Sequence, residues 1–532
     1  MTTGNQNDAD NVNNIDNIEI NAVIALEENK LKNAHEFVKG EKILLIIACV
    51  TAVLCDRLFF NPAINQSGNG NLFFFAAIFE ICFIVLFCCF NWEKIYKKPL
   101  LWVVAVLILS LCVWNFIFDY ASDYGVLTFF VIPASLMMFT QITAENPDLR
   151  NISGMVISWF SGWFMKPFTA IIKCAEVLAV ILFPKNGEKG AVIKKIAAAV
   201  LITVPLLAVL ILLLSGADKV FGYYVNKIFS SFDAWDFILH GVLIVIGFFL
   251  FYSFFWNGKY GKSKNEENMD NAVKIKKEYK VDNLIVYIIL SSVLILYVLF
   301  CAIQFTYLFA SAGLPAGISY SDYAKEGFAQ IVVISGINLV IFGCVLKYGK
   351  MSKYDGKTEK DIVLKVMLYI LIAVTGIMLV SGFMRLRLYI NTFGMTFLRL
   401  ISAWFIIYLS LVLILCVGRM IYEQIRKIKL PLIAFCAILL LLSYNILGYI
   451  NPDSFIVKYN LTENTVNNDV NKWVDENMDY VFYALSDDAV NALIDKGLDK
   501  NKYAEFLEQR YDDSGNKYSA ASMKLRSDLG DD

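Results

Sequence analysis

Residues 71–90 read NLFFFAAIFEICFIVLFCCF, and Glu80 is the only acidic or basic side chain among them apart from the cysteine thiols. A helix of about 20 apolar residues is long enough to cross the hydrocarbon core of a bilayer. The run is continuous rather than alternating, which distinguishes it from a strand of a transmembrane barrel. It therefore predicts a membrane-spanning α-helix with one intramembrane acid, Glu80, near its middle.

The rest of the chain has a similar composition. Of its 532 residues, 58% are apolar and 18% are charged, whereas soluble domains average about 45–50% and 25%. Further apolar runs predict an all-α, polytopic integral membrane bundle of about 11 transmembrane helices. The predicted spans are residues 43–60, 72–90, 99–117, 124–142, 196–215, 237–256, 284–309, 328–347, 362–382, 400–423 and 430–449.

Lysine and arginine residues are distributed unevenly among the predicted connections. They cluster before the first predicted helix and after the second, fourth, sixth, eighth and tenth. The alternate connections carry few of them, except for the connection after the ninth helix. Because basic loops of membrane proteins remain on the cytoplasmic side, this alternation places the N-terminus in the cytoplasm and the C-terminus outside it.

The chain divides into three predicted parts. Residues 1–40 are polar and rich in asparagine and aspartate, which predicts a cytoplasmic, largely disordered segment. Residues 41–450 form the predicted transmembrane domain. Residues 451–532 are polar and acidic, and they predict a small extracytoplasmic tail that is partly helical and disordered after about Asp512.

Residues 152–183 are apolar but are interrupted by Lys166-Pro167, and they also contain Lys173 and Glu176. Proline lacks a backbone N–H and breaks or kinks a helix. The segment therefore predicts interfacial or re-entrant helices on the cytoplasmic side. A hairpin of two additional spans is the alternative, and it would leave the orientation of the other helices unchanged.

Ionisable side chains in or beside the spans mark candidate functional sites, because each costs roughly 2.5–3.5 kcal/mol to insert. Apart from Glu80, the predicted topology places the principal polar groups at the outer membrane face. This candidate outer-face polar cluster consists of Asp56, Arg57, Asp218, Asp322, Tyr323, Glu326, Arg385, Arg387, Tyr389, Arg399, Asn451 and Asp453.

Three arginines of this cluster, Arg385, Arg387 and Arg399, lie in the connection after the ninth predicted helix, where the positive-inside rule does not expect them. The planar guanidinium group pairs well with a carboxylate or a phosphate. Two interpretations follow. The cluster forms either an outer vestibule for an anionic group such as a lipid phosphate, or a structural ion-pair network that joins the outer loops.

Cysteine and histidine do not form a recognisable metal site. All eleven cysteines lie in apolar runs without CxxC spacing, which argues against both a disulfide framework and a zinc site. The two histidines, His35 and His240, lie far apart in the sequence. For His240 we expect an intramembrane hydrogen bond, with a proton-carrying role as the alternative.

Several of these segments resemble one family of bacterial polytopic membrane proteins. The segments are DRLFF at 56–60, GADKVF at 216–221, SYSDYAKEGF at 319–328, RLRLYINTFGMTFLR at 385–399, NPDSFIVKYNL at 451–461 and DYVFYALSDDAV at 479–490. In this order they resemble domain of unknown function 4173, with domain of unknown function 4153 as a relative. Phe393 replaces a tyrosine of the family pattern. The resemblance implies a location in the bacterial inner membrane and implies no activity.

Three classes of function are consistent with these features. The first, which we favour, is transport or lipid handling through the outer-face polar cluster, with an anionic lipid or another small molecule as ligand. The second is an envelope sensor or scaffold that acts through the outer tail. The third is an integral membrane transferase that uses a lipid-linked donor, with Asp56 or Asp322 as base. Whether the chain is an enzyme is left open, and no catalytic residue is assigned.

The sequence also limits the expected partners. The lipid bilayer is the expected surrounding, and the net charge of −1 argues against a nucleic-acid-binding surface. No cofactor and no metal is expected, and no protein partner is indicated.

Overall fold

A computed structural model describes most of the chain and is almost entirely α-helical, as the sequence predicts. One hairpin of two short antiparallel strands, β1 (Lys353–Tyr354) and β2 (Lys357–Thr358), is the exception among the described residues. The predicted disordered segment 1–40 lies outside these residues except for Gly40. The described residues are 40–59, 70–119, 122–145, 152–182, 235–260, 283–304, 328–348, 353–354, 357–358, 362–421, 432–464, 470–513 and 519–529.

The helices are numbered in chain order, and a π-helical turn (Tyr480–Ala484) precedes α17. They are α1 (40–59), α2 (Gly70–Phe90), α3 (Trp92–Ile95), α4 (Pro99–Ile117), α5 (Asp123–Glu145), α6 (Ile152–Phe164), α7 (Lys166–Thr169), α8 (Ile171–Leu182), α9 (Trp235–Tyr260), α10 (Asn283–Gln304), α11 (Phe328–Tyr348), α12 (Ile362–Phe393), α13 (Phe397–Ile421), α14 (Leu432–Tyr449), α15 (Pro452–Asn464), α16 (Val470–Glu476), α17 (Asp487–Ile494), α18 (Ala504–Asp513) and α19 (Ala520–Leu529).

Six of these helices, α2, α4, α5, α9, α12 and α13, are long and apolar enough to cross a membrane. Two bent pairs also qualify, each as one broken span or as a re-entrant segment. Gly154–Phe164 meets Lys166–Ala175 at 53°, and Ala434–Tyr449 meets Pro452–Thr462 at 60°. The described residues therefore contain six to eight candidate spans, fewer than the predicted eleven.

The difference from eleven has identifiable causes. The predicted span 196–215 lies outside the described residues. Helix α1 has charged residues near both ends, so every 18-residue stretch within it contains at least three of them. In α10 and α11 the recognised apolar helices are shorter, Val286–Phe300 and Ile331–Val345.

Helix α12 continues to Phe393 instead of ending near residue 382 as predicted. Its 32 residues extend over about 48 Å, whereas the hydrocarbon core is about 30 Å thick. Gly394 follows with a φ angle of 77°, a left-handed conformation that commonly terminates a helix. The arginine-rich stretch is therefore mostly helical, and only residues 394–396 connect α12 to α13.

Helix α14 connects the N-terminal helices to its neighbours in the sequence, because it packs against both α4 and α13. Tyr444 of α14 stacks on Tyr124 of α5 with a ring-centroid distance of 4.8 Å. The Tyr124 hydroxyl donates a hydrogen bond to the carbonyl of Tyr444, at 2.8 Å. The indole N–H of Trp114 donates to the carbonyl of Gly448, at 3.0 Å. These buried contacts fix the position of α14.

The C-terminal segments α15–α19 form a module with a hydrophobic core of its own. Trp473, Phe482 and Leu493 are buried in this core. Helix α19 packs against α17 and α4, and its Leu525 is 3% exposed. The prediction of disorder after Asp512 is therefore wrong for residues 519–529, because this short helix contributes buried apolar side chains.

Candidate ligand-binding site

A cavity of about 610 Å³ lies between α1, α2, α5, α9 and the break between α6 and α7. Small residues contribute to its wall, namely Ala52, Ala76 and Gly247. Helices α1 and α9 approach closely here. A Cβ atom added to Gly247 would lie only 3.4 Å from the Cβ atom of Ala52. Ligand pockets have volumes of about 300–1,000 Å³ and mainly apolar walls, so the cavity has the size of a small-molecule site.

Phenylalanine rings cover much of the cavity wall. The ring centroid of Phe79 lies 5.4 Å from that of Phe59 and 6.1 Å from that of Phe251. Phe83 and Phe254 continue the wall, with 5.9 Å between their centroids. The rings contributed by α1, α2, α5 and α9 are called the phenylalanine set and are Phe59, Phe79, Phe83, Phe129, Phe251 and Phe254.

Two carboxylic acids, Asp56 and Glu80, interrupt this apolar wall. Asp56 is 2% exposed and Glu80 is 7% exposed. No lysine or arginine is among the described residues that line the cavity. The described aspartate, glutamate, lysine and arginine residues that line the cavity are therefore acids only.

Asp56 is held by a histidine of another helix. Its Oδ1 atom lies 2.8 Å from Nδ1 of His240 on α9, and an ionised carboxylate only accepts hydrogen bonds. The expected hydrogen bond of His240 is thus present, with Asp56 as the partner. The second oxygen, Oδ2, is buried and accepts no hydrogen bond from the described residues. The largely exposed Arg57 places its Nε atom 3.9 Å from Oδ2.

Glu80 lies at the middle of α2, as the sequence predicts. The thiol of Cys112 on α4 contacts its Oε2 atom at 3.9 Å, and a thiol is a weak hydrogen-bond donor. Glu80 therefore places a carboxyl group with one weak described donor at the cavity wall.

The break between α6 and α7 forms one end of the cavity, where Gly162, Pro167 and Phe168 line the wall. The sequence predicts this break from Lys166-Pro167. The Lys166 carbonyl accepts hydrogen bonds from Ser253 Oγ at 2.7 Å and from Asn257 Nδ2 at 3.0 Å. Non-helical backbone at membrane depth requires such replacement partners, and α9 supplies them. Whether this segment is re-entrant or a two-span hairpin stays a prediction.

The side chain of Lys166 is buried beside α5 rather than in the cavity lining. Its ammonium group donates a hydrogen bond to the side-chain oxygen of Gln141. A basic residue close to the cavity is thus engaged by a neutral amide.

Two other members of the predicted outer-face cluster, Asn451 and Asp453, lie where the C-terminal module docks. Asn451 has a φ of 59° and occupies the bend between α14 and α15. The Oδ2 atom of Asp453 accepts a hydrogen bond from the backbone N–H of Ser486, at 3.0 Å. The backbone N–H of Asp487 donates to Oδ2 of Asp119, at 2.9 Å. Since Ser486 itself makes no side-chain cap, carboxylates from distant segments cap the start of α17.

Asp488 adds a reciprocal contact to these docking contacts, because here the side chain of the module accepts and the backbone of Asp119 donates. Its Oδ2 atom accepts a hydrogen bond from the backbone N–H of Asp119, at 2.7 Å. Burial raises the pKa of Asp488 to about 7, although the Asp119 N–H favours the charged form and offsets part of the increase. The docking contacts therefore include a carboxyl group that titrates near neutral pH.

The arginines of the predicted cluster have separate surroundings. Arg399 stacks its guanidinium group on Tyr389, with 4.2 Å from Cζ to the ring centroid. It also donates to the carbonyls of Phe393, at 2.8 Å, and of Gly394. Arg385 is buried and Arg387 is exposed, both on α12. Arg399 thus closes the C-terminal end of α12, consistent with a structural role.

The other predicted site residues, Asp218, Asp322, Tyr323 and Glu326, lie outside the described part of the chain. Within the described part, no group of three or more histidine, cysteine, aspartate or glutamate residues is placed to hold a metal ion.

Sequence reasoning identified Asp56, His240 and Glu80 separately but missed that they gather at one cavity or beside it. It also missed the contact between Asp119 and Asp487. The proximity of Asp56 and His240 had a sequence signal, because each residue lies near the outer end of a predicted span. No local signal links Asp119 to Asp487, which are 368 positions apart.

A family profile described as "Domain of unknown function (DUF4153)" matches residues 104–496, more than half of the chain. The protein belongs to the DUF4153 family. The expected domain of unknown function 4173 is not shown by this match, whereas its relative 4153 is. The DUF4153 match includes His240 and the docking residues Asp119, Asp453 and Asp487, while Asp56 and Glu80 precede it. No curated protein and no solved structure matches the chain.

Proposed function

We propose that this DUF4153 protein is a multi-pass carrier of the bacterial inner membrane that binds an apolar or amphipathic small molecule in the cavity. The observation that carries the proposal is the cavity of about 610 Å³, with its phenylalanine set and two buried acids. A mainly apolar pocket with a few convergent polar groups is the usual form of a small-molecule site.

The break between α6 and α7 supports transport in particular. Transporters commonly build their substrate sites from discontinuous helices near the bilayer midplane. Here a bend of 53° lies at one end of the cavity. A broken segment of this kind is an element that could move relative to the straight helices while the opposite wall remains in place.

The proposed ligand site contains Asp56 and not the arginines of the predicted outer vestibule. Arg399 is engaged at the end of α12, and Asn451 and Asp453 belong to the docking site of the module. Asp56 alone among the described members of the outer-face cluster lines the cavity. The full topology of about eleven spans, with a cytoplasmic N-terminus and an external C-terminus, stays part of the proposal on the basis of the charge alternation.

Photolabelling in native membrane vesicles tests whether the cavity is occupied. The probe is hexadecanol with a diazirine in its alkyl chain, and labelled positions are mapped by mass spectrometry. We expect saturable labelling around Leu250 and Phe251. Ala76→Phe should reduce it by filling the cavity, whereas Val106→Phe, at a position 59% exposed on α4, should not. Non-saturable labelling confined to outward-facing residues would contradict the proposal.

A second candidate, an envelope sensor or scaffold, is favoured by one observation. The C-terminal module has its own core and docks through specific capping contacts. Deletion of residues 463–532 removes most of this module. The sensor function predicts a changed phenotype of the deletion strain with cavity labelling retained, and an unchanged phenotype would exclude it.

A further inference from the structure

We infer that the cavity selects a lipophilic cation, an apolar molecule that carries a positive charge. The inference rests on the proposed function, because it takes the cavity as the ligand site. The inference also specifies the charge of the ligand. The sequence favours an anionic lipid, whereas the cavity favours a cation.

The described aspartate, glutamate, lysine and arginine residues that line the cavity are acids only. Asp56 and Glu80 line it, and both are buried. Neither nearby base lines the cavity, since the largely exposed Arg57 approaches Asp56 with its Nε atom 3.9 Å from Oδ2 and Lys166 contacts Gln141. A buried carboxylate is costly without a compensating charge. A cationic ligand would stabilise the ionised form of either acid, whereas an anion would disfavour it.

The two acids keep hydrogen-bond acceptor capacity at the cavity wall. His240 occupies Oδ1 of Asp56, and Oδ2 is buried without a hydrogen bond from the described residues. At Glu80 the described donor is a thiol at 3.9 Å. Both acids therefore place a buried carboxyl oxygen at the cavity wall.

The aromatic wall also favours a cation. The face of an aromatic ring carries negative potential and attracts cations, more strongly when water is excluded. The phenylalanine set includes Phe79 and Phe83, which lie one helical turn apart on α2 and flank Glu80 in the sequence. Rings and carboxylates of this wall thus favour the same sign of charge. A neutral alkyl chain would use the apolar surface and gain no electrostatic attraction from the two acids.

Three probes of similar shape and different charge test the inference. They are tetraphenylphosphonium, tetraphenylsilane and tetraphenylborate, which are cationic, neutral and anionic. Equilibrium binding of each isotope-labelled probe is measured on the full-length protein in nanodiscs, with empty nanodiscs subtracted. We expect the phosphonium to bind about tenfold more tightly than the silane, and the borate to bind most weakly.

Isosteric variants assign the selectivity to the two acids. Asp56→Asn and Glu80→Gln should each weaken phosphonium binding by about tenfold while leaving silane binding unchanged. Glu93→Gln, at an exposed position on α3, is the matched control and should change neither. If Asp56→Asn does not yield folded protein, Glu80→Gln carries the test, because its described side-chain contact is weaker.

The outcomes separate the inference from the proposed function. If silane or borate binds as tightly as phosphonium and Ala76→Phe abolishes binding, the cavity is a ligand site but is not selective for cations. Phosphonium affinity that is unchanged by both acid variants would also overturn the inference. If none of the three probes binds above the empty nanodiscs, the inference falls. The hexadecanol labelling then decides the proposed function separately.

Discussion

His240 on α9 and Asp56 on α1 are joined by a hydrogen bond of 2.8 Å, although 184 positions separate them in the sequence. The contact links two walls of the cavity at one end. It holds one oxygen of the carboxylate and leaves the other buried without a described hydrogen bond. The same contact therefore contributes to stability and to the chemistry of the site.

Removing His240 should destabilise the protein more than removing both partners. His240→Leu leaves the Asp56 carboxylate buried without its partner, which costs about 3–5 kcal/mol for buried pairs. His240→Leu combined with Asp56→Leu removes the uncompensated charge and should recover part of the loss. Thermal unfolding of the single and double variants in detergent measures the coupling. Single effects that add to within about 0.5 kcal/mol would show that the contact is energetically unimportant.

Asp119 should contribute to docking of the C-terminal module. Asp119→Ala removes the acceptor for the Asp487 N–H, and loss of a helix cap costs about 1 kcal/mol. Hydrogen exchange should become faster in α17 and α19 and remain unchanged in α9. Lys524→Ala is the control, because it removes an exposed ion pair with Asp495, worth about 0–1 kcal/mol. Equal exchange in the Asp119→Ala variant and the unmodified protein would contradict the capping role.

Docking of the module should weaken as the pH rises through about 7. The pKa of Asp488 is about 7 in the docked state and about 3.9 in an unfolded chain, so the docked state binds the proton more tightly. The stabilisation from this group is complete below the unfolded pKa and is lost as the pH rises through the folded value. Hydrogen exchange of α17, corrected for intrinsic rates, should therefore become faster as the pH rises from about 5 to about 8. Asp488→Asn should flatten the dependence, and an unchanged or opposite slope in that variant would exclude the assignment.

Arg399 and Arg387 should behave differently when replaced. Arg399→Ala removes hydrogen bonds to the end of α12 and the stacking on Tyr389, with an expected loss of about 1–3 kcal/mol. The exposed Arg387 should tolerate alanine within about 0.5 kcal/mol. Thermal unfolding and yield compare the two. Normal stability of Arg399→Ala with lost ligand binding would instead support the outer anion-binding vestibule.

The sequence was sufficient for features that depend on local composition. The run 71–90 predicts α2 with Glu80 at its middle, and Lys166-Pro167 predicts the break that the structure contains. Both follow from the cost of polar groups and of proline in an apolar helix.

Features that depend on long-range packing or on the exact end of a helix were not predictable in this way. Arg385 and Arg387 fall in the connection after the ninth predicted span, yet arginine and leucine are good helix formers, so α12 continues until Gly394 ends it. The cavity is lined by small residues such as Ala76 and by large rings that four separate helices contribute, a juxtaposition that no local sequence pattern shows. Helix α19 becomes ordered through contacts with α17 and α4, which the polar tail sequence does not reveal.

The most direct test of the account is uptake of ethidium, an aromatic cation, into liposomes that contain the full-length protein and enclosed DNA. DNA-bound ethidium fluoresces, so the signal reports passage across the membrane. The account predicts faster uptake than in protein-free liposomes, loss of this increase in Ala76→Phe, and retention of it in Val106→Phe. Uptake equal to that of protein-free liposomes, or uptake that Ala76→Phe leaves unchanged, would contradict the claim that the cavity carries its ligand across the membrane.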